Sequence, residues 1–568
     1  MKSRFLALGS SPLTLLSHVS WVLAEGHGHG HDHGEQDESK KIQGIKDELD
    51  NGPQTYFALS DNSSLIYSHI TLMTIAWIVI LPVAVFLSLA SSRYTLATQL
   101  VFTVFNGFGL LLALFYNTRT PDLYPNNAHH KIGWIITAVM IAHVIVGFLA
   151  RRRSATSLSE AHVRTEEQIF VPLTTITTDC NYNDASDDDR SLGDDDGRGS
   201  IISMDGGSGT THDEDYDEGT FKYSRASQSS RCQGILSTVI RSTNYVISKM
   251  ISLSTWISYG YKITDRIILP FGFIAFTTGI ATFGRFFEGD AIFNGLAHWI
   301  KGGVFFWLGL FNLGRWTGSF ADLGWAWNIR PRSRKHHHQP SAEFIESFLI
   351  FFYGSTNMFL EHLGNSDGKW GPRDLEHLAI TVLFLGGGLC GMLVESTRIR
   401  HLLNTTLHSH EAFSDEMRKP IRTPLTYGFS LNPIPALVIA LLGTMMSSHH
   451  QTTMTSTMVH KQWGQLLLGA SVARCLTYVM VYIRPPTSIL PSRPPTELLT
   501  SFGLIAGGIV FMASSSDTIR GMIYYDLDAM VLYTVTMGFV GILMAWEVVV
   551  LAIKGLAIRK ENSSRSLC

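Results

Sequence analysis

Long apolar windows recur along the whole chain and are separated by shorter polar stretches. A helix of about 20 apolar residues is long enough to cross a bilayer. The pattern therefore predicts an all-α integral membrane protein with about eleven transmembrane helices. The predicted spans are residues 67–90, 94–116, 131–150, 267–287, 293–313, 342–362, 375–396, 433–447, 462–483, 497–514 and 527–551.

Basic residues in the short loops predict the orientation of these spans, because such residues prefer the cytosolic side. If the amino terminus is extracytosolic, every basic cluster falls on the cytosolic side, and so does the carboxyl terminus. The clusters are Arg93, residues 151–153, 330–335 and 398–422, Arg484, and residues 554–560.

Polar segments divide the chain into a three-helix front bundle and an eight-helix back bundle. The stretch "DASDDDRSLGDDDGRGS" is too acidic and too polar to bury a core, so the linker around it is predicted to be disordered and cytosolic. The next segment is periodic but carries Arg241 and Lys249, which favours an amphipathic helix in the membrane interface. The predicted order is a signal peptide (1–24), a His-rich extracytosolic tail (25–66), the front region (67–153), the linker (154–230), the interfacial helix (231–265), the back region (266–556) and a cytosolic tail (557–568).

The amino-terminal residues and the composition indicate the compartment and the partners. Lys2 and Arg4 precede an apolar stretch and a plausible cleavage site after Ala24, which predicts a secretory signal; an uncleaved anchor is the alternative. The protein is then expected in the plasma membrane or an endomembrane, with an outer glycosylation sequon at Asn62. Only 16% of residues are charged and the net charge is −3, so the lipid bilayer is the expected partner and nothing indicates nucleic acid.

Histidines and glutamates recur at the predicted outer ends of the back-region spans. The tripeptide Glu-His-Leu occurs twice in "MFLEHLGNSDGKWGPRDLEHL", once after the sixth span and once before the seventh. Imidazole and carboxylate are ligands of zinc, iron and copper, so these residues are a candidate metal site. The alternative is that they are polar residues ending spans where water begins. The candidates are His298, Glu361, His362, Glu376, His377 and His449, with His450 and His460 nearby.

Two histidines in the front region lie at similar depth on spans that both enter from the outer side. His69 opens the first span and His130 the third, and two imidazoles from separate helices can ligate one b-type haem. The spacing of His69, Met73, Trp77 and Pro82 resembles the first core helix of the cytochrome b-561 family, and "HHKIGWI" resembles its third. That resemblance implies one bis-histidyl pair, His69 and His130, with the adjacent His129 as the alternative ligand to His130. A retained fold without haem is the alternative to the haem site. The family's second pair has no counterpart here, because the span 94–116 contains no histidine.

The whole arrangement is similar to the fungal Ytp-like membrane proteins, which join such a front region to an eight-span carboxy-terminal region. The stretches "NPIPALVIALLG" and "MGFVGILMAWE" carry this resemblance. The resemblance implies an architecture rather than a mechanism.

A short histidine tract follows the predicted cleavage site. His27, His29, His31 and His33 alternate with glycine or aspartate in "EGHGHGHDHGE", a composition that binds late divalent metals such as copper or zinc. A solvated polar tail without bound metal is the alternative.

These features favour a protein that handles metal or electrons at its extracytosolic face, with metal ions as partners and a redox partner that the sequence does not identify. Lys301 and Arg474 lie within predicted back-region spans and indicate a polar interior or cavity there. Three other functions stay open: a metal-ion transporter that uses these charged back-region spans, a metal-dependent membrane hydrolase that uses the Glu-His pairs, and a non-catalytic assembly factor. Enzymatic activity is therefore undecided by the sequence.

The histidine tract generates a first prediction. Cleavage after Ala24 leaves Glu25, Gly26 and His27 in the first three positions, where the free amine, two backbone amides and the imidazole can surround one copper(II) ion in a plane. A synthetic peptide of residues 25–34 should bind copper(II) much more tightly than its amino-acetylated form, as measured by titration calorimetry. Equal affinities of the two peptides would contradict this site.

Overall fold

The computed structural model describes residues 31–52, 54–168, 230–289, 291–331, 339–362, 372–411 and 424–566. Within these ranges the chain is overwhelmingly helical and no strand is assigned, which confirms the all-α prediction. The signal peptide, His27, His29 and most of the acidic linker lie outside the described residues. The helices are α1 (His31–Asp50), α2 (Ser63–Leu89), α3 (Thr95–Arg119), α4 (Ala128–Gln168), α5 (Ser230–Gly284), α6 (Ala291–Thr317), α7 (Ala342–His362), α8 (Pro372–Glu395), α9 (Thr397–Glu411), α10 (Ile434–Ser448), α11 (Met454–Ile483), α12 (Pro495–Ala513), α13 (Ser516–Tyr524) and α14 (Ala529–Ser566).

Eight helical segments within the described residues are long and apolar enough to cross a membrane. They lie in α2, α3, α4, α5, α8, α11, α12 and α14 and coincide with eight of the predicted spans. The other three predicted spans coincide with α6, α7 and α10, of which α10 has only 15 residues. The chain is therefore a multi-pass membrane protein, and the count of eleven stays a prediction.

The chain forms two compact units, one of residues 1–144 with 264–568 and one of residues 145–263. In the second unit, the ring of Tyr261 packs directly against Gly147. The segment predicted as a separate interfacial helix is continuous with the fourth span in α5, because no helix-breaking residue precedes Pro270. Its location in the membrane interface stays a prediction.

The core of the front region contains a fourth helix beside the three predicted. Ile268 and Ala275 of α5 are buried with Ala76 of α2, Phe102 of α3 and Met140 of α4. An apolar stripe along one face of α5 explains this packing, since a helix buries the face on which its apolar residues recur. The front bundle consequently joins the first four spans.

A π-helical segment lies in the middle of α2, from Ile75 to Ile80, immediately before Pro82. Proline cannot donate a backbone hydrogen bond, and π turns commonly accommodate such interruptions. Trp77 lies in this segment and donates its indole N–H to the Asn106 side chain on α3, at 3.0 Å. This hydrogen bond fixes the rotation of α2 about its axis relative to α3.

The back bundle is built around α12, which packs between α6 and α11. Small residues permit the close approach: a Cβ added at Gly508 would lie 2.5 Å from the Phe306 nitrogen and 2.6 Å from the Gly302 carbonyl oxygen. Close backbone contact at small residues is a general device of membrane helices. Beside it, Trp463 of α11 stacks on Phe511 of α12 with ring centres 4.1 Å apart.

Helix α1 was not predicted from the sequence, because its composition is polar. It is held by tertiary contacts with α13, the short helix between the last two spans: Lys46 pairs with Asp526 at 2.6 Å and Glu48 with Arg520 at 2.5 Å. Ile42 also packs on the back-region core. Both α1 and α13 were predicted to be extracytosolic, so their contact agrees with the predicted arrangement of loops.

Gly508 generates a second prediction. The Gly508→Ala variant should be destabilised by about 1–3 kcal/mol, because its methyl group would overlap backbone atoms of α6 and force the two helices apart. The thermal unfolding midpoint of the detergent-solubilised protein measures this loss. Gly538→Ala is the matched control, since nothing lies within 4 Å of that added Cβ and its midpoint should not fall. Equal midpoints for both variants would contradict the close contact.

Candidate functional site

His69 lies in the second turn of α2, where the front bundle places its ring against α3. The Nδ1 atom of His69 is 2.8 Å from the carbonyl oxygen of Gly109. A carbonyl oxygen only accepts hydrogen bonds, so Nδ1 carries the proton and donates it. The Nε2 atom of the neutral ring then keeps its lone pair and is available to bind a metal.

His129 in the first turn of α4 is held in the same way from the opposite side. Its Nδ1 is 3.1 Å from the Ala275 carbonyl oxygen on α5, which leaves its Nε2 as the atom with a lone pair. The rings of His69 and His129 lie with their centres 6.5 Å apart and their planes at 72°. We call these two residues the histidine pair.

The structure thus pairs His69 with His129 and not with His130, which was the predicted partner. His130 is exposed, and its backbone nitrogen donates to Asn127. Successive residues on an α-helix point about 100° apart, so only one of two adjacent histidines can face the bundle. Because α4 packs against α5, His129 rather than His130 is the histidine that lies beside His69.

The geometry of the histidine pair fits a shared metal centre. With metal–nitrogen bonds of about 2 Å on either side, two imidazoles that ligate one ion have their centres about 6 Å apart. Ligating histidines commonly donate their other ring nitrogen to a carbonyl group, which orients the ring. Gly279 leaves room for this orientation, since a Cβ there would lie 3.1 Å from the His129 ring.

His143, about four turns deeper on α4, has a different partner. Its Nε2 is 3.0 Å from a carboxylate oxygen of Asp265, and the Ser88 hydroxyl donates to the other oxygen of Asp265 at 2.6 Å. The carboxylate lies between the two other groups, so His143 cannot act as a base on Ser88 as in a Ser-His-Asp triad. The contacts among Ser88, His143 and Asp265 link α2, α4 and α5. Asp265 was missed by the sequence analysis, although an acid within an apolar window is a signal.

The predicted metal residues of the back region come together in pairs. His298 of α6 lies beside His460 of α11, with ring centres 6.0 Å apart, and the Nδ1 of His460 is 2.8 Å from the Ser456 carbonyl oxygen. His449 lies 3.5 Å from a carboxylate oxygen of Glu376. His298 thus meets His460, which was outside the predicted ligand set.

A metal site that joins all the predicted residues stays a prediction. Among the described side chains, no group of three His, Cys, Asp or Glu residues could hold a metal ion. Glu361 and His362 end α7, but their side chains are outside the described part, as are those of His31 and His33 in α1. His377 is exposed near the start of α8.

Five charged side chains meet inside the back bundle, near the ends of four helices, and we call them the charged cluster. All of them are buried. They occupy the end of the bundle that was predicted to be cytosolic. The members are Arg315 of α6, Glu343 and Glu346 of α7, Arg474 of α11 and Glu497 of α12.

Within the charged cluster every carboxylate contacts a guanidinium. Arg315 lies 2.9 Å from Glu343 and 3.0 Å from Glu346. Arg474 lies 2.9 Å from Glu497 and 3.5 Å from the same oxygen of Glu346. Glu346 therefore connects the two arginines, and the cluster joins α6, α7, α11 and α12.

Two uncharged residues complete the charged cluster. Asn312 donates to Glu497 at 2.8 Å and accepts from Arg474 at 2.5 Å. The Trp327 ring in the loop after α6 lies over the Arg315 guanidinium, 4.4 Å from its central carbon, and 5.8 Å from that of Arg474. The sequence analysis identified Arg474 as a sign of a polar interior but did not find its carboxylate partners.

Two family models match the sequence of the chain. Residues 271–555 match the model described as Protein YTP1-like, C-terminal. Residues 50–152 match a model described as a domain of unknown function, DUF2427. No solved structure matches the chain.

Several fungal membrane proteins are similar to this chain. An uncharacterized membrane protein of Schizosaccharomyces pombe is 34% identical over 508 residues, which cover 87% of this chain and 94% of that protein. An uncharacterized membrane protein of Saccharomyces cerevisiae is 41% identical over 306 residues, covering 51% of this chain and 47% of that protein. Protein YTP1 of Saccharomyces cerevisiae is 21% identical over 189 residues, covering 33% and 34%.

The contact between His143 and Asp265 generates a third prediction. Asp265→Ala should reduce the free energy of unfolding by about 1–3 kcal/mol, because it leaves buried polar groups without their carboxylate partner. Asp322→Ala is the control, since Asp322 is exposed, and should change stability little. Thermal unfolding in detergent measures both. A variant at position 265 as stable as this control would contradict the role of the carboxylate.

Proposed function

The chain is a polytopic membrane protein of the YTP1-like family, and we propose that it handles electrons at its extracytosolic face through a single b-type haem. The histidine pair carries this proposal: two half-buried imidazoles from different helices lie 6.5 Å apart, each with Nδ1 bound to a backbone carbonyl oxygen. His69 and His129 would be the axial ligands. A bound haem supplies one-electron chemistry.

The number of protein ligands favours haem iron over an isolated metal ion. A protein zinc site takes three or four side-chain ligands, whereas a haem needs only axial ligands from the chain. Among the described residues, no third histidine, cysteine or carboxylate joins the histidine pair. The resemblance of the first span to the cytochrome b-561 family supports the same choice.

The structure supports one haem rather than a relay across the membrane. His143 is the deeper histidine of the membrane-length part of α4, Ala128–Phe148, and its Nε2 contacts Asp265 at 3.0 Å. The described helix α3 contains no histidine. Electrons would therefore enter and leave on the side of the histidine pair.

The histidines of the amino-terminal tail would bind metal ions on the same side of the membrane as the histidine pair. Helix α1 is bound to α13, and the ring of Phe57, which follows α1, contacts both Tyr525 after α13 and Phe283 near the end of α5. Phe283 also contacts Tyr67, two residues from His69. The histidine tract that precedes and begins α1 would thus gather copper or iron ions at the same end of the protein as the proposed haem.

The haem proposal generates a fourth prediction. Purified protein expressed with ample haem should show the absorption bands of a b-type cytochrome in a dithionite-reduced minus oxidised spectrum. His69→Ala and His129→Ala should each abolish the bands, because each removes one of the two axial ligands.

His130→Ala is the matched control and should keep the bands, since the neighbouring imidazole is exposed and faces away from His69. His143→Ala should keep them as well. A wild-type protein without haem absorbance, or bands that survive His129→Ala and vanish with His130→Ala, would contradict the proposed pair.

A further inference from the structure

The formal charges of the charged cluster do not balance. Three carboxylates meet two guanidiniums, so the cluster carries one excess negative charge when all five groups are ionised. All five side chains are buried within helices of a membrane protein. A net charge in such surroundings costs several kcal/mol unless a proton or a cation neutralises it.

Of the three carboxylates, Glu346 is the one whose negative charge is least stabilised by its surroundings. Glu343 and Glu497 lie in the first turns of α7 and α12, where the positive end of the helix dipole stabilises an anion. Glu346 lies one turn further along α7. Its nearest contacts are also to arginines that each bind another carboxylate, since Arg315 pairs with Glu343 and Arg474 with Glu497.

Glu346 lines a small cavity in the back bundle. Glu346, Arg474, Ser471 and Thr500 contribute polar atoms to its wall, which is otherwise apolar. These polar groups suit one ordered water molecule, which can exchange a proton with a buried carboxylate. Such a water molecule would be the exchange partner of a proton on Glu346.

Tyr478 adds a further polar group to the surroundings of Arg474. Its side chain is buried on α11, one turn beyond Arg474, whose guanidinium is the hydrogen-bonding neighbour of its hydroxyl. Buried hydroxyl groups are almost always hydrogen-bonded, so Arg474 is shared among this hydroxyl, Glu497, Asn312 and Glu346.

We propose that the charged cluster is a proton-binding site in which Glu346 carries one exchangeable proton. With this proton the cluster has two negative and two positive charges and is neutral. Loss of the proton leaves one buried negative charge shared between α7, α6 and α11, which weakens the packing of these helices. The site lies at the opposite end of the protein from the histidine pair and does not depend on haem.

Among the described residues, the charged groups that flank the cluster do not supply the missing positive charge. Glu547 of α14 lies beside Gly314, next to Arg315 in the chain, and would add a further negative charge. Glu395 at the end of α8 is matched by Arg400 at 3.4 Å. The neighbouring wall from α10 is apolar and consists of Pro435, Ala436 and Ile439.

Infrared spectroscopy of the purified full-length protein tests the proton directly. The wild type should show the carbonyl stretch of a buried protonated carboxylic acid, shifted in heavy water, and Glu346→Gln should lose that band. Glu547→Gln identifies any band from the carboxyl group on α14. Glu288→Gln is the control at a half-buried carboxylate that is paired with Arg285, and it should leave the carboxylic-acid band unchanged.

Thermal unfolding gives the second readout. Between about pH 5 and about pH 9, the range in which buried carboxyl groups titrate, the unfolding midpoint of the wild type should fall as the proton is lost. Glu346→Gln mimics the protonated form and should remove the Glu346 part of this fall. A wild-type protein without the infrared band, or a Glu346→Gln variant that keeps both the band and the full pH dependence, would show that the cluster is only a structural ion-pair network.

Discussion

The back bundle depends on the ion pairs that Arg315 and Arg474 make with three buried carboxylates. Each of these charges loses its hydration on folding, so each must find its partner for the bundle to form. Because the partners come from α6, α7, α11 and α12, the requirement fixes the rotation and depth of four helices at once. Removing either arginine from such a network typically costs about 3–5 kcal/mol, since it leaves buried carboxylates unpaired.

The tight packing in the middle of the bundle follows from the same constraint. The charged side chains hold the ends of α6 and α12 together, and glycines let their backbones meet a few turns away. In a bilayer the apolar surface of a helix gains little by leaving lipid for protein, so packing and polar contacts must supply the association energy. The charged pairs at one end of the bundle supply the polar contacts, and the glycine contacts in the middle supply the packing.

The front region uses polar contacts in a different way. The two imidazoles of the histidine pair are bound to backbone carbonyl oxygens, which orients the rings but leaves one nitrogen of each ring with a lone pair. The charged groups of the back-bundle cluster are instead bound mostly to each other. This contrast separates a region suited to ligating a metal centre from a region suited to holding charge, and the two lie at opposite ends of the protein.

The sequence by itself determined the fold class, the positions of the membrane helices and the similarity to the Ytp-like family, which is confirmed. These follow from the length and spacing of apolar windows and from local motifs. It also identified His69 and Arg474 as unusual polar residues. What only the tertiary structure decided was the partner of each: His129 rather than His130 for His69, and Glu346 and Glu497 for Arg474. The physical reason is that helical periodicity fixes which residues share a face, whereas the direction of that face is set by packing against other helices, far away in the chain.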